Sequence, residues 1–460
     1  MRNSHGWREI QEERKREIVA AIVAGQATRG PAHAELDLTD RCNVACYFCN
    51  QQDTRTKQQV PIERALRLID ELADGGVRSV RLSGGGDPLF HREILQILDH
   101  LAARGIVIDN LTTNGIALSD EVARRLVAGA AREVIFSLNA VDAADYHRMM
   151  QVKPALFEQV LGNIRHLVAH RGEATRPQIV SQLLLDRHNV HRMVEMYDLA
   201  AGLGVDVAAF NVVLEIPLER IDRQELLRPE DREIARPLFR EILRRDRERG
   251  ILQVDFAVPG WNEMVAAEER EVGHSIQRPF PTAASFRDEN GGCFFAWYTT
   301  VVTGNGDLHP CCLLLKPGRK PLGNILQSSF AEQWNGPGYT RMRQEMRQVL
   351  LEGSVAGYDP QRFKILDQAC VMPHFCWLKN MFFRGDETFY RELGEALETA
   401  RDAEARWFGT PDQRRIAKHR FYQRHPRLAP HLQRLFDWSR PLRHRLRGGT
   451  ASRPTAPTPE

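Results

Sequence analysis

Leu36-Asp-Leu-Thr-Asp-Arg-Cys42-Asn-Val-Ala-Cys46-Tyr-Phe-Cys49-Asn50 sets three thiols within eight residues, directly after a strand-like run at 35–39. Thiols crowded on one loop call for metal or redox chemistry. Structural zinc generally takes four ligands, often as paired C-x-x-C arms, and no fourth ligand follows locally; the next histidine is His91. Three cysteines suit a [4Fe–4S] cube held at three irons, leaving the fourth iron open to a small chelating molecule.

Around this loop the sequence alternates strand-like and helix-like patterns. Strands are expected over 35–39, 79–83, 107–113, 133–138, 178–185 and 205–213, with helices over 62–72, 92–103, 120–128, 157–169 and 190–201. Such alternation builds βαβ units around a parallel sheet and puts functional residues at the carboxyl ends of the strands. Six repeats are too few for a closed eight-stranded barrel, so the expected class is α/β, a partial, TIM-like (β/α)6 barrel. Gly129 and Gly204 are placed to close helices.

Each later strand end carries a polar motif. The second strand runs into Leu82-Ser-Gly84-Gly85-Gly86-Asp87-Pro88, the third into Thr112-Thr113-Asn114-Gly115, and the fourth ends at Ser137-Leu-Asn139. Taken singly, these read as ordinary turns. In order, behind a C-x3-C-x2-C triplet with Phe48 before its last cysteine, they resemble the radical S-adenosylmethionine (SAM) superfamily over residues 35 to 213. The resemblance implies that Cys42, Cys46 and Cys49 hold the cluster. It further implies that Phe48, Gly85, Gly86, Asp87, Thr113, Ser137 and Asn139 surround SAM, with Asp87 where the family usually has Glu. The implied chemistry is reductive cleavage of SAM to a 5′-deoxyadenosyl radical that abstracts a substrate hydrogen atom. The cofactor supplies the hard step, and the protein supplies orientation and exclusion of solvent.

Five further cysteines lie downstream: Cys293, Cys311, Cys312, Cys370 and Cys376. Gly304-Asn-Gly306-Asp is a hairpin signal that would bring Cys293 and Cys311 together. With Leu322-Gly-Asn-Ile325 and Phe330-Ala-Glu-Gln-Trp334, this half resembles the SPASM/Twitch extensions of radical SAM enzymes. That resemblance implies an auxiliary [4Fe–4S] cluster on Cys293, Cys311, Cys370 and Cys376, in the shorter single-cluster form, since the extra C-x2-C of the full pattern is missing. Zinc on the same four residues is the rival. Cys312 is surplus, and whether it or His374 serves as a ligand is open.

The division expected is an N-terminal helix (1–34), the partial barrel (35–213), a connecting segment (214–290), a small α+β auxiliary-cluster domain (291–382), a basic helical C-terminal extension (383–447) and a disordered tail (448–460). The chain has 460 residues, 27% charged and 42% hydrophobic, with a formal net charge of +3. That balance belongs to a soluble globular protein and excludes collagen-like or wholly disordered classes. The apolar run from Ile18 to Ala24 is too short to span a bilayer and lies in a charged stretch, so no membrane association or secretion is expected. The location expected is therefore the cytoplasm, where clustered cysteines bind metal more often than they form disulfides. Between Arg401 and Arg447, thirteen Lys/Arg face four Asp/Glu. A solvated helical face is the default account of that basic stretch, and nucleic acid is not the expected partner.

The function expected is that of a radical SAM enzyme of dehydrogenase (oxidoreductase), dehydratase or epimerase type. A flavodoxin- or ferredoxin-type electron donor is expected as partner. With 34 residues before the first strand, too few for a peptide-recognition domain, a small polar metabolite such as a sugar or aminocyclitol is favoured as substrate. A peptide-modifying enzyme is the alternative. A third reading, from another class, is a non-catalytic metal-binding protein that contacts nucleic acid.

Overall fold

Strand-forming runs between residues 33 and 255 assemble into seven parallel strands: β1 (His33–Leu36), β2 (Ser79–Leu82), β3 (Val107–Thr113), β4 (Glu133–Ser137), β5 (Gln178–Leu185), β6 (Val207–Val212) and β7 (Leu252–Asp255). They pair in sequence order, each parallel to the next. The computed structural model describes residues 12–49, 51–52, 55–129, 131–213, 224–256, 260–277, 293–311, 320–352 and 386–407, together with Ile10, Asp222 and Phe383. Two units divide the chain, Met1–Glu392 and Leu393–Glu460. The first contains every site discussed below.

Up to Val272 the α-helices of the first unit are α1 (Glu12–Ala24), α2 (Ile62–Asp74), α3 (Ile94–Ala103), α4 (Asp120–Ala128), α5 (Ala143–Met150), α6 (Leu156–Arg171), α7 (Met193–Leu203), α8 (Arg232–Asp246) and α9 (Trp261–Val272), of which α5 and α9 are not among the expected helices. Amphipathic spacing explains their seating. On α2, Ala65, Leu68, Ile69 and Leu72 fall at helical intervals and are buried. Local chemistry sets several ends. Ser119 caps α4 by accepting from Val122 N, and Asp142 caps α5 by accepting from Ala144 N and Asp145 N. Gly204 closes α7 in the left-handed conformation, whereas Gly129 ends α4 with extended backbone.

The 214–290 stretch, expected as a connection with a charged helix around 231–249 and a strand over 252–258, contributes α8, β7 and α9, and β7 adds a seventh parallel strand beside β6. On the other side of the sheet, β8 (Thr299–Val302) pairs parallel with β1, and β9 (Asp307–His309) and β10 (Gly323–Asn324) follow antiparallel. The resulting ten-stranded order among the described residues is β10-β9-β8-β1-β2-β3-β4-β5-β6-β7. The downstream half therefore extends the barrel's own sheet.

Helices α10 (Phe330–Trp334) and α11 (Pro337–Glu352) complete this half. Ser329 and Glu332 form a reciprocal capping box on α10. Buried Arg343 on α11 donates to the carbonyls of Ala296 and Trp334, both at 2.9 Å, and lies over the Trp334 ring at 4.3 Å. Helix α1 is fastened here too. Trp297 Nε1 donates to Ala21 O at 3.0 Å, and Arg347 Nε to Val23 O at 2.5 Å. Helix α12 (Glu387–Trp407) begins in the first unit and runs into the second.

Candidate active site

The cysteine loop leaves β1 at its carboxyl end and is held in place by α5. Ala45 N donates to Met150 O at 3.2 Å and Tyr47 N to Met149 O at 3.3 Å. The Cys46 thiol lies 3.6 Å from the Met150 sulfur, and Cys49 N turns back onto Cys46 O at 3.1 Å. Tyr47 anchors the outer side, with its hydroxyl donating to Asp186 Oδ2 at 2.5 Å; Arg148 pairs with the same carboxylate. Phe48 stands edge-on to Tyr47, ring centroids 5.5 Å apart, and packs with Tyr47 and Leu184 on Val213 and Leu226.

All three thiols are free, Cys46 buried and the other two half-buried. Burial pushes the Cys42 and Cys46 thiols up from their ordinary range. Only a strongly electropositive centre would hold such groups as thiolates. At Cys49, Arg55 Nη2 donates to the sulfur at 3.2 Å. The same guanidinium bonds Val44 O at 3.3 Å and the Gly85 carbonyl, tying the loop to the glycine turn. Asn114 Nδ2 lies 3.9 Å from the Cys42 sulfur and bonds Asn43 Oδ1 at 2.7 Å.

The glycine turn lies hard against the start of the cysteine loop. Gly86 N donates to Thr39 O at 3.0 Å and Asp87 N to Arg41 O at 3.0 Å. A Cβ on Gly84 would stand 2.7 Å from the Asp37 carboxyl carbon, one on Gly85 would strike Asp40 Oδ1, and one on Gly86 would strike the Arg41 backbone. The family resemblance puts Gly85 and Gly86 around SAM. Their immediate need here is to let two protein segments touch.

Asp87 is likewise spent on protein contacts. Its carboxylate accepts from Leu89 N at 2.9 Å, from the Thr113 hydroxyl at 2.9 and 3.0 Å, and from Asn114 N at 2.7 Å. Burial raises its pKa, and these donors oppose the rise. Asp87 and Thr113 thus lock the ends of β2 and β3 together. Ser137 ends β4 half-buried. Asn139 is buried with φ 55°, its Oδ1 accepting from Leu184 N at 3.1 Å and its Nδ2 lying 3.8 Å from the Met150 sulfur.

Tyr146 on α5 was not singled out by any motif. It is fully buried, and its hydroxyl has no hydrogen-bond partner among the described residues. Burial raises its pKa first, and the nearby Cys46, Asp87 and Cys42 push it further in the same direction. An orphaned hydroxyl near the Cys42 and Cys46 thiols and the buried Asp87 fits a cluster with a polar ligand on it.

In the downstream half, the Gly304-Asn-Gly306 hairpin forms as expected, with Val301 opposite His309 and Val302 opposite Leu308. Cys293 precedes β8 and Cys311 follows β9, and both are half-buried. The hairpin tip reaches the cysteine loop, where Gly304 N donates to Asp40 Oδ1 at 3.2 Å. Asp40 Oδ2 accepts from Thr56 N at 3.1 Å. Cys312, Cys370, His374 and Cys376 lie outside the described residues, as do 408–460 with most of the basic segment. No helix among the described residues is long and apolar enough to cross a membrane.

The radical SAM superfamily profile matches residues 36–200, and an iron–sulfur cluster-binding SPASM domain profile matches 293–353. The chain thus carries a radical SAM domain and, downstream of it, a SPASM domain. Its radical SAM domain implies SAM and a [4Fe–4S] cluster, and its SPASM domain implies further iron–sulfur centres. An AdoMet-dependent heme synthase of Methanosarcina barkeri is 24% identical over 69% of this chain and 86% of its own length. A PqqA peptide cyclase of Xanthomonas euvesicatoria is 25% identical over 68% of this chain and 77% of its own. Among solved structures, Streptococcus suis SuiB superposes with a TM-score of 0.52 at 18% identity, covering 75% of this chain and 76% of that one. The anSMEcpe structure with bound AdoMet gives 0.50 at 15%, covering 79% and 99%. These two radical SAM proteins share the partial-barrel fold.

Proposed function

We propose that this radical SAM enzyme modifies a peptide, coupling SAM cleavage at the Cys42–Cys46–Cys49 loop to oxidation assisted by an auxiliary cluster on Cys293, Cys311, Cys370 and Cys376. When bound, the loop cluster and SAM supply reductive C–S cleavage and hydrogen-atom abstraction. The protein's part is positional: Arg55 holds Cys49 to the glycine turn, Asp87 and Thr113 fix the strand ends beneath the ligand, and Tyr146 offers a hydroxyl donor. The observation that carries the two-centre reading is the bond from Gly304 to Asp40, which seats the SPASM-domain hairpin on the catalytic loop. A flavodoxin- or ferredoxin-type protein would deliver the electron.

The peptide is favoured over the sugar or aminocyclitol because a peptide cyclase covers 68% of this chain and the superposing SuiB is described with a precursor peptide bound. The heme synthase covers a like share, 69%, whereas a GTP 3′,8-cyclase from Parasynechococcus marenigrum covers 41%. Anaerobically reconstituted protein should carry about eight iron per chain, falling to about four in Cys42→Ala or Cys293→Ala. Reduced with dithionite, it should form 5′-deoxyadenosine, and Cys42→Ala should not. Presented with peptides encoded beside its gene, it should shift one of them by the mass of lost hydrogen. Turnover of a sugar or aminocyclitol with every such peptide unchanged would sink the peptide assignment but leave the SAM chemistry standing.

A further inference from the structure

A separate group of ligand-type side chains lies on the outer surface where α4 meets α6. Asp120 opens α4, and His166 and His170 sit one turn apart on α6, which puts both imidazoles on one face. His166 Nε2 is 2.9 Å and His170 Nε2 2.8 Å from the same oxygen, Asp120 Oδ1. One donor atom from each residue lies within 4.8 Å of the other two. The imidazole planes stand at 89° with centroids 4.4 Å apart, so both nitrogens can face one point without the rings colliding. Asp120 Oδ2 is engaged by Arg124 Nε at 2.9 Å. That bond fixes the carboxylate with Oδ1 toward the imidazoles, as outer-shell partners do for metal ligands.

We propose that Asp120, His166 and His170 form a surface site for a divalent transition metal, zinc above all, that staples α4 to α6 independently of the iron–sulfur centres. Two imidazoles and one carboxylate are a borderline donor set that suits zinc, whereas calcium and magnesium call for oxygen ligands throughout. Neither imidazole makes another hydrogen bond among the described residues, so a cation can replace the two shared protons without disturbing the fold. The side chains are between 30% and 55% exposed, which gives the ion a route in and leaves room for water at its remaining position. The cysteine loop rests on α5 and shares no residue with this group.

The test uses full-length protein with its clusters reconstituted, so that the ligand thiols are occupied, titrated anaerobically with zinc in a calorimeter. The wild type should bind one zinc per chain with a two-imidazole signature in zinc-edge absorption. His166→Ala/His170→Ala should lose at least the tenfold in affinity typical of losing even an outer-shell partner, and Asp120→Asn should fall between. Zinc should raise the Tm of the wild type and not of the double variant, because only the folded chain brings α4 and α6 together. Matching circular dichroism and unchanged 5′-deoxyadenosine formation without zinc would show that the exposed substitutions leave the rest intact. Equal zinc affinity in the double variant, or no zinc uptake by the wild type, would overturn the proposal.

Discussion

Arg55 places a guanidinium N–H 3.2 Å from the sulfur of Cys49 while bonding Val44 O and the Gly85 carbonyl. A donor with positive charge against a cluster sulfur favours the reduced, more negative state, so it raises the reduction potential. Lysine keeps the charge but cannot form the three-way fork; glutamine loses both. Redox-poised EPR should show the loop cluster's midpoint falling from wild type to Arg55→Lys to Arg55→Gln. Formation of 5′-deoxyadenosine should drop by about tenfold in Arg55→Gln. Equal midpoints in all three would remove Arg55 from any electrostatic role.

Tyr146 buries a hydroxyl that bonds nothing among the described residues, at a cost of about 1–3 kcal/mol. Tyr146→Phe should therefore leave the Tm of the cluster-free chain unchanged or higher. Loaded with its clusters and SAM, the same variant should bind SAM less tightly or cleave it more slowly. A lower Tm without clusters would mean that the hydroxyl serves the fold instead.

Gly304 has no space for a side chain. A Cβ there would lie 2.5 Å from Asp40 N and 2.8 Å from Gln58 O, both backbone atoms that cannot swing away. Gly304→Ala should lower stability by about 1–3 kcal/mol in chemical denaturation. It should also slow SAM cleavage while iron content stays at the wild-type level. Full activity with normal stability would mean that the hairpin tip does not brace the cysteine loop.

Glu133, at the start of β4, is buried and held by Asn110 Nδ2 at 2.9 Å. Burial pushes its carboxyl up to about 7. The folded state thus prefers the protonated form. Its contribution is fully present below the ordinary glutamate range and is lost as pH rises through about 7. Glu133→Gln should gain on the wild type as pH rises, by up to about 3 kcal/mol near pH 8, and the two should converge near pH 5. Parallel Tm curves across that range would show that Glu133 does not titrate in the folded protein.

Much of the sheet was legible. The bounds of β3, β5 and α4 fall where the sequence pattern places them, since local pattern decides them. Helix α5 escaped notice because it has only eight residues, although Asp142 is a readable cap. The pairing of β8 with β1 could not be read, because nothing local in either strand names a partner so remote in sequence. At the site, the motifs announced the cysteines and the glycine turn, yet how Asp87 and the glycines are used depends on which backbone lies against them. Arg55 and Tyr146 belong to no motif. Their importance comes from where folding leaves a charge and an unpaired hydroxyl.

The parallel pairing of β1 with β8 also constrains how the chain is made. His33 lies opposite Thr299, so one flank of β1 stays open until nearly two-thirds of the protein has been synthesised. At ribosomal speeds of about 5–20 residues per second, that interval is on the order of ten to fifty seconds. During it, β1 is a bare edge able to pair with another nascent chain. Premature termination anywhere before β8 would leave that edge open for good, so such fragments should accumulate as aggregates and not as a working half-enzyme.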